Sequence, residues 1–519
     1  MNKTNDLGFN FLAMSQQRSK NAFVNTLSVG LLSLASLAAF VYIKSRKKRG
    51  VNRWEDESKT SSEFDGATVK TKSSSSNVES TWMGATDSHT STKMDLLHRG
   101  HNKGGKLLVV LVGMPGSYKT LIARKVARFL RWNSFETRAF SIARYRLDRL
   151  GRKSADFFDP KNKGGNKQRK AVLNEAIEDA LRFLRRGGEI AILDGTNTTK
   201  ERRHMIRQRL QKEDDGRFCE IMWIETLCGD DALGIEKLAA LEEGSPDFLG
   251  VDDYKRRCAF YKQGYSNVAE SEGPFLRIYP QFEKFTLHKT QGYLPTKIVS
   301  FVVNLRPNAN QKSVVFCRHG ESTFNAKCPP QLGGNSDLTG RGLKFSKGLA
   351  EFLETQGDDI CVWASTMRRS RETAAAISTA KRKVQWRALN DLDVGVADGL
   401  SYEQVRARFP EEYRARSADK LRYRYPRGES YLDLIARLEP VIFEMERWNS
   451  ADGQLVIIAH QAVLRCIRAW CLDLQLEEIP FLDVPLHTLI RLEATTYGCR
   501  EKRIRIVVDE EGPSIFRNV

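Results

Sequence analysis

The sequence predicts an α/β protein: two doubly wound α/β domains preceded by an N-terminal membrane segment and a disordered tether. Three observations carry this. Short uninterrupted apolar runs at Leu107–Val112, Ile190–Leu193, Ser313–Cys317 and Leu455–Ala459 have the texture of parallel strands buried on both faces. Helical spacing follows the first and last of them, in LIARKVARFLRW and QAVLRCIRAW. Finally, 519 residues exceed one ordinary core, so more than one domain is expected.

The first hundred residues differ from the rest. Leu27–Ile43, LSVGLLSLASLAAFVYI, is uncharged and about one bilayer core long, and Lys44–Arg49 follows with five cations in six positions. A basic cluster after the span, rather than before it, reads as an anchor with the bulk of the chain on the cytosolic side; a cleaved signal peptide is the competing reading. The mitochondrial outer face suits such an anchor, with endoplasmic reticulum and plastid envelope left open. Residues 50–102, rich in Ser, Thr, Asp and Lys, hold too few large apolar side chains to fold and read as a tether. Two domains then follow, at 103–311 and 312–519. The net charge of +19 biases the chain toward anionic partners, whether phosphorylated metabolites, nucleic acid or an acidic membrane. Nine cysteines without a CxxC pair point to reduced thiols and away from a structural zinc site.

Chemistry is expected beyond the carboxyl ends of the strands. The 313–317 run ends in Arg318-His319-Gly320, and the 455–459 run ends in His460. A neutral imidazole can attack phosphorus and carry the phosphoryl group, while guanidinium groups hold its oxygens. His319 is therefore the candidate nucleophile, with Arg318, Arg369 and His460 as candidate clamps. In the first domain, Gly113–Thr120 (GMPGSYKT) lies between strand and helix, where backbone N–H groups cradle phosphates, Lys119 reaches the β and γ groups and Thr120 holds magnesium. Tyr118 stands where this pattern has glycine, and its bulk is expected to disfavour the wrapping conformation. Asp194, ending the Ile190–Leu193 strand, suits magnesium or a hydroxyl proton.

Several blocks resemble the bifunctional 6-phosphofructo-2-kinase/fructose-2,6-bisphosphatase family: RHGES at 318–322, DKLRYRYPRGESYLDLIARLEPVI at 419–442, AHQAVLRC at 459–466, PLHT at 485–488, DGTNTT at 194–199, GSPDF at 244–248 and YKRRCAFY at 254–261. The resemblance implies a P-loop kinase-like domain followed by a histidine-phosphatase-like one. It implies that His319 is phosphorylated, and that Asn325, Gly333, Tyr402, Arg416, Lys420, Tyr431, Gln461 and Arg465 contact the sugar bisphosphate. In the kinase half it implies Arg146, Arg169, Thr196, Arg257 and Tyr261 as fructose 6-phosphate contacts. Thr120 and Asp194 are the implied magnesium ligands, and Gly113, Lys119 and Thr120 the ATP contacts. The implied partners are fructose 2,6-bisphosphate, fructose 6-phosphate, ATP with Mg2+ and the membrane, with a homodimer as an option and no nucleic acid; the phosphatase half is expected to need no cofactor.

The chain departs from the family pattern at several positions. Asp391 replaces the expected acid/base glutamate one methylene shorter, which predicts a slower phosphatase. Leu147 replaces an arginine, Lys237 an asparagine and Glu242 a lysine, which puts kinase turnover in question. Three readings follow: an enzyme that makes and destroys fructose 2,6-bisphosphate, a phosphatase whose kinase half only senses nucleotide or sugar phosphate, and an inert membrane-tethered scaffold.

Overall fold

The computed structural model describes residues 105–518 apart from 214–217, 228–246, 280–281, 307–312, 358, 449–451, 496–497 and 509–512. The predicted membrane span and tether, Cys228, Lys237 and Glu242 lie outside the described residues. Among the described residues, no helix is long and apolar enough to cross a membrane. All of them fall in one compact unit, Asp87–Val519.

The first sheet has six strands. Its centre is β1 (Leu107–Gly113), every residue of which is buried. Around it stand β2 (Thr137–Ser141), β3 (Ile190–Asp194), β4 (Glu220–Thr226), β5 (Phe275–Ile278) and β6 (Phe285–His288), in the order β2-β3-β1-β4-β5-β6. All pairs are parallel except β5 with β6. Strands buried on both faces need helices on each side. One layer includes α1 (Lys119–Trp132), whose Ile122, Val126, Phe129 and Leu130 form a buried stripe. The other includes α2 (Ile142–Leu150), α3 (Lys163–Arg185) and α4 (Lys200–Gln211), whose buried residues join the core around Val110 and Leu193. Helices α5 (Val251–Gln263) and α6 (Tyr293–Val302) complete this half.

The second sheet corrects the doubly wound expectation. Strands β7 (Val314–Arg318), β8 (Ile360–Ser365), β9 (Arg382–Trp386) and β10 (Gln454–Ala459) are parallel. Three more strands follow β10: β11 (Thr488–Thr495), β12 (Gly498–Val508) and β13 (Pro513–Asn518), antiparallel in succession, giving the order β13-β12-β11-β7-β10-β8-β9. None of these later strands is a continuous apolar run: β11 and β13 carry polar and charged residues among their apolar ones, and β12 is heavily charged. The helices that matter below are α7 (Gly340–Glu354), α8 (Arg368–Ala375), α9 (Tyr402–Arg408), α10 (Pro410–Ala418), α11 (Tyr431–Arg447) and α12 (Gln461–Leu472).

One apolar cluster crosses from half to half, joining β1, α1 and α6 to α11, β10 and α12. At its centre Phe129 stacks on Phe301 with ring centroids 4.3 Å apart, Phe443 packs on both, and Trp470 meets Trp132 at 5.5 Å and Phe301 at 5.9 Å. Ion pairs Lys125–Glu446, Lys297–Glu439 and Arg131–Asp473 rim it. Trp470→Ala removes a ring that both halves share, so it is expected to destabilise the chain by about 3–5 kcal/mol and to move the unfolding of both halves together, measured by urea titration.

Candidate active sites

The register of β7 against β10 builds the second-half site. Ala459 pairs with Arg318 and the His319 N–H donates to the Ala459 carbonyl at 3.0 Å, so His319 and His460 leave neighbouring strands at the same level. Their rings lie 5.1 Å apart, both buried. Gly320 is required by close approach: a Cβ there would sit 2.6 Å from the Gly342 carbonyl oxygen at the start of α7.

Hydrogen bonds fix the His319 tautomer. Nδ1 lies 2.7 Å from the Gly320 carbonyl, which can only accept, so Nδ1 carries the proton and Nε2 the lone pair. That lone pair accepts from Arg369 Nε at 3.0 Å. Burial first, then the neighbouring His460, Arg369 and Arg318, hold the His319 pKa well below its ordinary value, so the ring stays neutral. His460 is also held neutral, chiefly by burial. Its Nε2 meets the Ser365 hydroxyl at 2.7 Å, while Nδ1 has no hydrogen-bond partner and stands 3.6 Å from Asp391 Oδ2.

Arg369, at the start of α8, ties the site together. Besides His319 it donates to the Gly334 carbonyl at 2.7 Å and to Asp391 Oδ2 at 3.0 Å. Arg318 is half-buried with its Nε buried and unpartnered, and desolvation pulls its pKa down to about 10. A cation with a buried, unused donor is poised for an anion.

A cavity of about 150 Å³ opens on these groups. Its wall includes every second-half residue predicted above except His460, which is fully buried: His319, Arg318, Arg369, Asp391, Asn325, Gly333, Tyr402, Arg416, Lys420, Tyr431, Gln461 and Arg465. Arg416 stacks on the Tyr402 ring at 4.6 Å and donates to its hydroxyl at 2.8 Å. Arg465 donates to the Tyr431 hydroxyl at 3.1 Å. The sequence reading missed Ser365, Thr373, whose hydroxyl accepts from the Gly320 N–H at 2.9 Å, and Tyr425 in the cavity wall. Nothing in their residue type or spacing marks them; only the register brings them in.

In the first half, β1 and β3 end side by side, and the Gly113 N–H donates to the Thr196 carbonyl at 2.8 Å. Thr120 donates to Asp194 Oδ2 at 2.9 Å, and Lys119 Nζ donates to Ser117 Oγ at 3.0 Å and to the Met114 carbonyl. Burial raises the Asp194 pKa, opposed by Thr120 and Lys119. A cavity of about 280 Å³ includes Lys119, Thr120, Asp194, Thr196, Arg146, Arg169, Arg257 and Tyr261 in its wall, together with Leu147 and the unpredicted Arg202.

Two expectations need correction. Gly113 is not in the cavity wall; its φ of 149° and a contact distance of 2.4 Å from a Cβ to Thr226 Oγ1 make it a packing glycine against β4. Tyr118 does adopt the left-handed conformation a glycine would supply, at φ 60° and ψ 11°. Its ring packs edge-on against Phe282 at 6.1 Å. The wrap is kept at a cost of about 1–2 kcal/mol. Arg146 and Arg257, two of the implied fructose 6-phosphate contacts, both pair with the Asp247 carboxylate.

Residues 96–309 match the family model described as 6-phosphofructo-2-kinase, and residues 314–507 that of the histidine phosphatase superfamily (branch 1). A rat protein named 6-phosphofructo-2-kinase/fructose-2,6-bisphosphatase 4 is 37% identical over 409 residues, covering 76% of this chain and 84% of the relative. The chain belongs to the 6-phosphofructo-2-kinase/fructose-2,6-bisphosphatase family. An Arabidopsis thaliana member is 38% identical over 423 residues, which are 79% of this chain and 55% of that relative. A human member, number 3, is 36% identical over 415 residues, covering 78% and 77%. Within this family the second-half cavity is the phosphatase side and the first-half cavity the kinase side.

Burial, with Arg416 and Arg465 nearby, lowers the Lys420 pKa to about 8. An anionic ligand in this cavity favours the charged amine, so above that pH binding must take up a proton and weakens. A sugar bisphosphate titrated calorimetrically onto His319→Ala protein is expected to lose affinity by up to about tenfold per pH unit above pH 8, a loss that Lys420→Arg removes.

Proposed function

We propose that the chain is a bifunctional enzyme of fructose 2,6-bisphosphate: its second half hydrolyses the 2-phosphate through a phosphohistidine, and its first half makes the bisphosphate from fructose 6-phosphate and ATP. The observation that carries the hydrolysis is the neutral His319, whose Nε2 lone pair faces Arg369 at the wall of a cationic cavity.

The first step forms a bond from Nε2 to phosphorus as the bond from phosphorus to the C2 oxygen breaks, and the Asp391 carboxyl gives its proton to the departing oxygen. Arg369 exchanges its bond to Nε2 for one to a phosphate oxygen, and Arg318 and His460 Nδ1 supply further donors. In the second step water attacks phosphorus, its proton goes to the Asp391 carboxylate, Nε2 leaves, and inorganic phosphate and fructose 6-phosphate are the products. The chain supplies every group this needs.

For synthesis, the kinase side fits nucleotide and magnesium. Asp194 is a buried carboxylate that accepts from the hydroxyls of Thr120, at 2.9 Å, and Ser141, with Lys119 and Arg124 nearby. These two residues would hold Mg2+, which when bound neutralises charge on the transferring phosphoryl group. Lys119 would turn from Met114 and Ser117 to the phosphates. Asp194 is placed to take the proton of the attacking hydroxyl, and Thr196, Arg169, Arg257 and Tyr261 line the side where the sugar would lie. Retention of the loop conformation by Tyr118 favours turnover over a sensing module, and the assembled phosphatase site argues against an inert scaffold.

His319→Ala is expected to abolish hydrolysis of fructose 2,6-bisphosphate and the trapped phosphohistidine while leaving ATP binding intact; Asp194→Asn is expected to lower synthesis by at least about 100-fold and spare hydrolysis. Radiolabelled turnover assays on each variant check both halves, and a wild-type chain that neither makes nor hydrolyses the bisphosphate would falsify the proposal.

The N-terminal stretch Leu27–Ile43, with Lys44–Arg49 after it, supports anchoring with both catalytic domains on the cytosolic side. Full-length protein is expected in the membrane pellet after alkaline extraction, and a chain lacking residues 1–49 in the supernatant. Equal partition of the two would remove the anchor.

A further inference from the structure

The acid/base carboxylate of the phosphatase is short, so its backbone must be placed accurately. Asp391 follows β9 through a tight turn, Arg387–Leu389, and its side chain reaches Arg369 at 3.0 Å and comes within 3.6 Å of His460 Nδ1. A carboxylate one methylene shorter than glutamate cannot recover a displacement of its Cα by extending. Something outside the cavity has to hold that segment.

Arg437, on α11 and outside the cavity wall, does so. Its Nη1 donates to the carbonyls of Arg387 at 3.4 Å, Ala388 at 2.8 Å and Asn390 at 3.1 Å. Its Nη2 donates to the carbonyl of Asp391 itself at 3.1 Å. Nε and Nη2 also form a fork on Glu429, both at 2.8 Å. Glu429 closes the arch from its other end: its Oε2 accepts from the Asp393 N–H at 3.1 Å and its N–H donates to the Asp393 carbonyl at 2.8 Å. Four carbonyl dipoles within five residues thus converge on one cation. Without it those oxygens would face one another and the arch would open, carrying Asp391 with it. Only a planar fork with five donors can serve so many acceptors at once.

We propose that Arg437 is a positioning residue for the phosphatase reaction, setting where Asp391 delivers and takes up its proton. The inference rests on the reading of Asp391 as the acid/base.

The test is a double-mutant cycle on the full chain with Arg437→Met, Asp391→Asn and the pair, read by steady-state hydrolysis of fructose 2,6-bisphosphate. Arg437→Met is expected to lower kcat by about 10- to 100-fold with KM within about twofold, since Arg437 touches no substrate position. In the Asp391→Asn background the same substitution is expected to cost less than about twofold more. A residue that merely stabilises the fold would lower activity by the same factor in both backgrounds, and that result overturns the inference, as does a loss expressed in KM. Arg437→Lys, which keeps the charge but not the fork, is expected to fall between wild type and Met, and it carries the same cycle if the Met variant fails to fold. Asp391→Asn with undiminished kcat would instead remove the acid/base reading, and the inference with it.

Discussion

The structure depends on an apolar layer that neither half can complete alone. Phe129 and Phe301 come from the kinase side, Phe443 and Trp470 from the phosphatase side, and all four rings touch one another's partners in one cluster. The helices that supply these rings also begin or support the catalytic loops. Helix α1 opens at Lys119 and Thr120 and ends at Trp132; α12 opens directly after His460 and ends near Trp470. Each active site is therefore at one end of a helix whose other end is buried in the joint. The rim ion pairs, of the Lys125–Glu446 kind, orient the two surfaces, while the rings supply most of the burial energy.

Desolvation shapes the phosphatase centre in the same way that apolar burial shapes the joint. His319, His460 and Arg369 are buried, with the half-buried Arg318 beside them, and desolvation acts on each differently. The imidazoles respond by staying neutral, which leaves His319 nucleophilic at physiological pH. The guanidiniums cannot escape so easily, so Arg369 takes Asp391, Gly334 and His319 as partners and Arg318 keeps a donor unused. A phosphate entering this centre relieves the repulsion among the cations, and that relief grows as charge accumulates on the transferring group.

The sequence shows what is buried on both faces or stands next to a strand end. The runs at Ile190–Leu193, Ser313–Cys317 and Leu455–Ala459 read as strands because central parallel strands are continuously apolar, and the residues just after them supplied Asp194, His319 and His460. Strand β9, Arg382–Trp386, escaped because it is an exposed edge with no buried residue. Strand β12 carries the charged run Arg500–Arg503 and alternates only over Arg503-Ile504-Arg505-Ile506, a one-sided antiparallel pattern unlike a continuous apolar run. Arg416, Lys420 and Arg465, named by resemblance to the family, stand in one cavity wall with His319, although they lie far from it in sequence. What neither pattern nor resemblance yielded were groups such as Ser365, Thr373 and Arg437, whose importance lies in contacts made 40 to 100 positions away by ordinary residue types.

The kinase cavity obeys a different balance from the phosphatase cavity. Arg146, Arg169 and Arg257 surround the ring of Phe158 at 5.1, 5.9 and 4.5 Å, so one aromatic face spaces three cations. Two of those three already share the Asp247 carboxylate, and Leu147 adds no charge beside them. An incoming sugar phosphate must compete with Asp247 for Arg146 and Arg257, whereas in the phosphatase cavity Arg318 has a donor in hand. The same density of arginine therefore gives unequal attraction. By this reasoning Leu147, which stands where the family pattern has arginine, weighs on ligand affinity at the kinase side, and at the phosphatase side the proposed acid Asp391 is one methylene short, which makes the backbone held by Arg437 matter more.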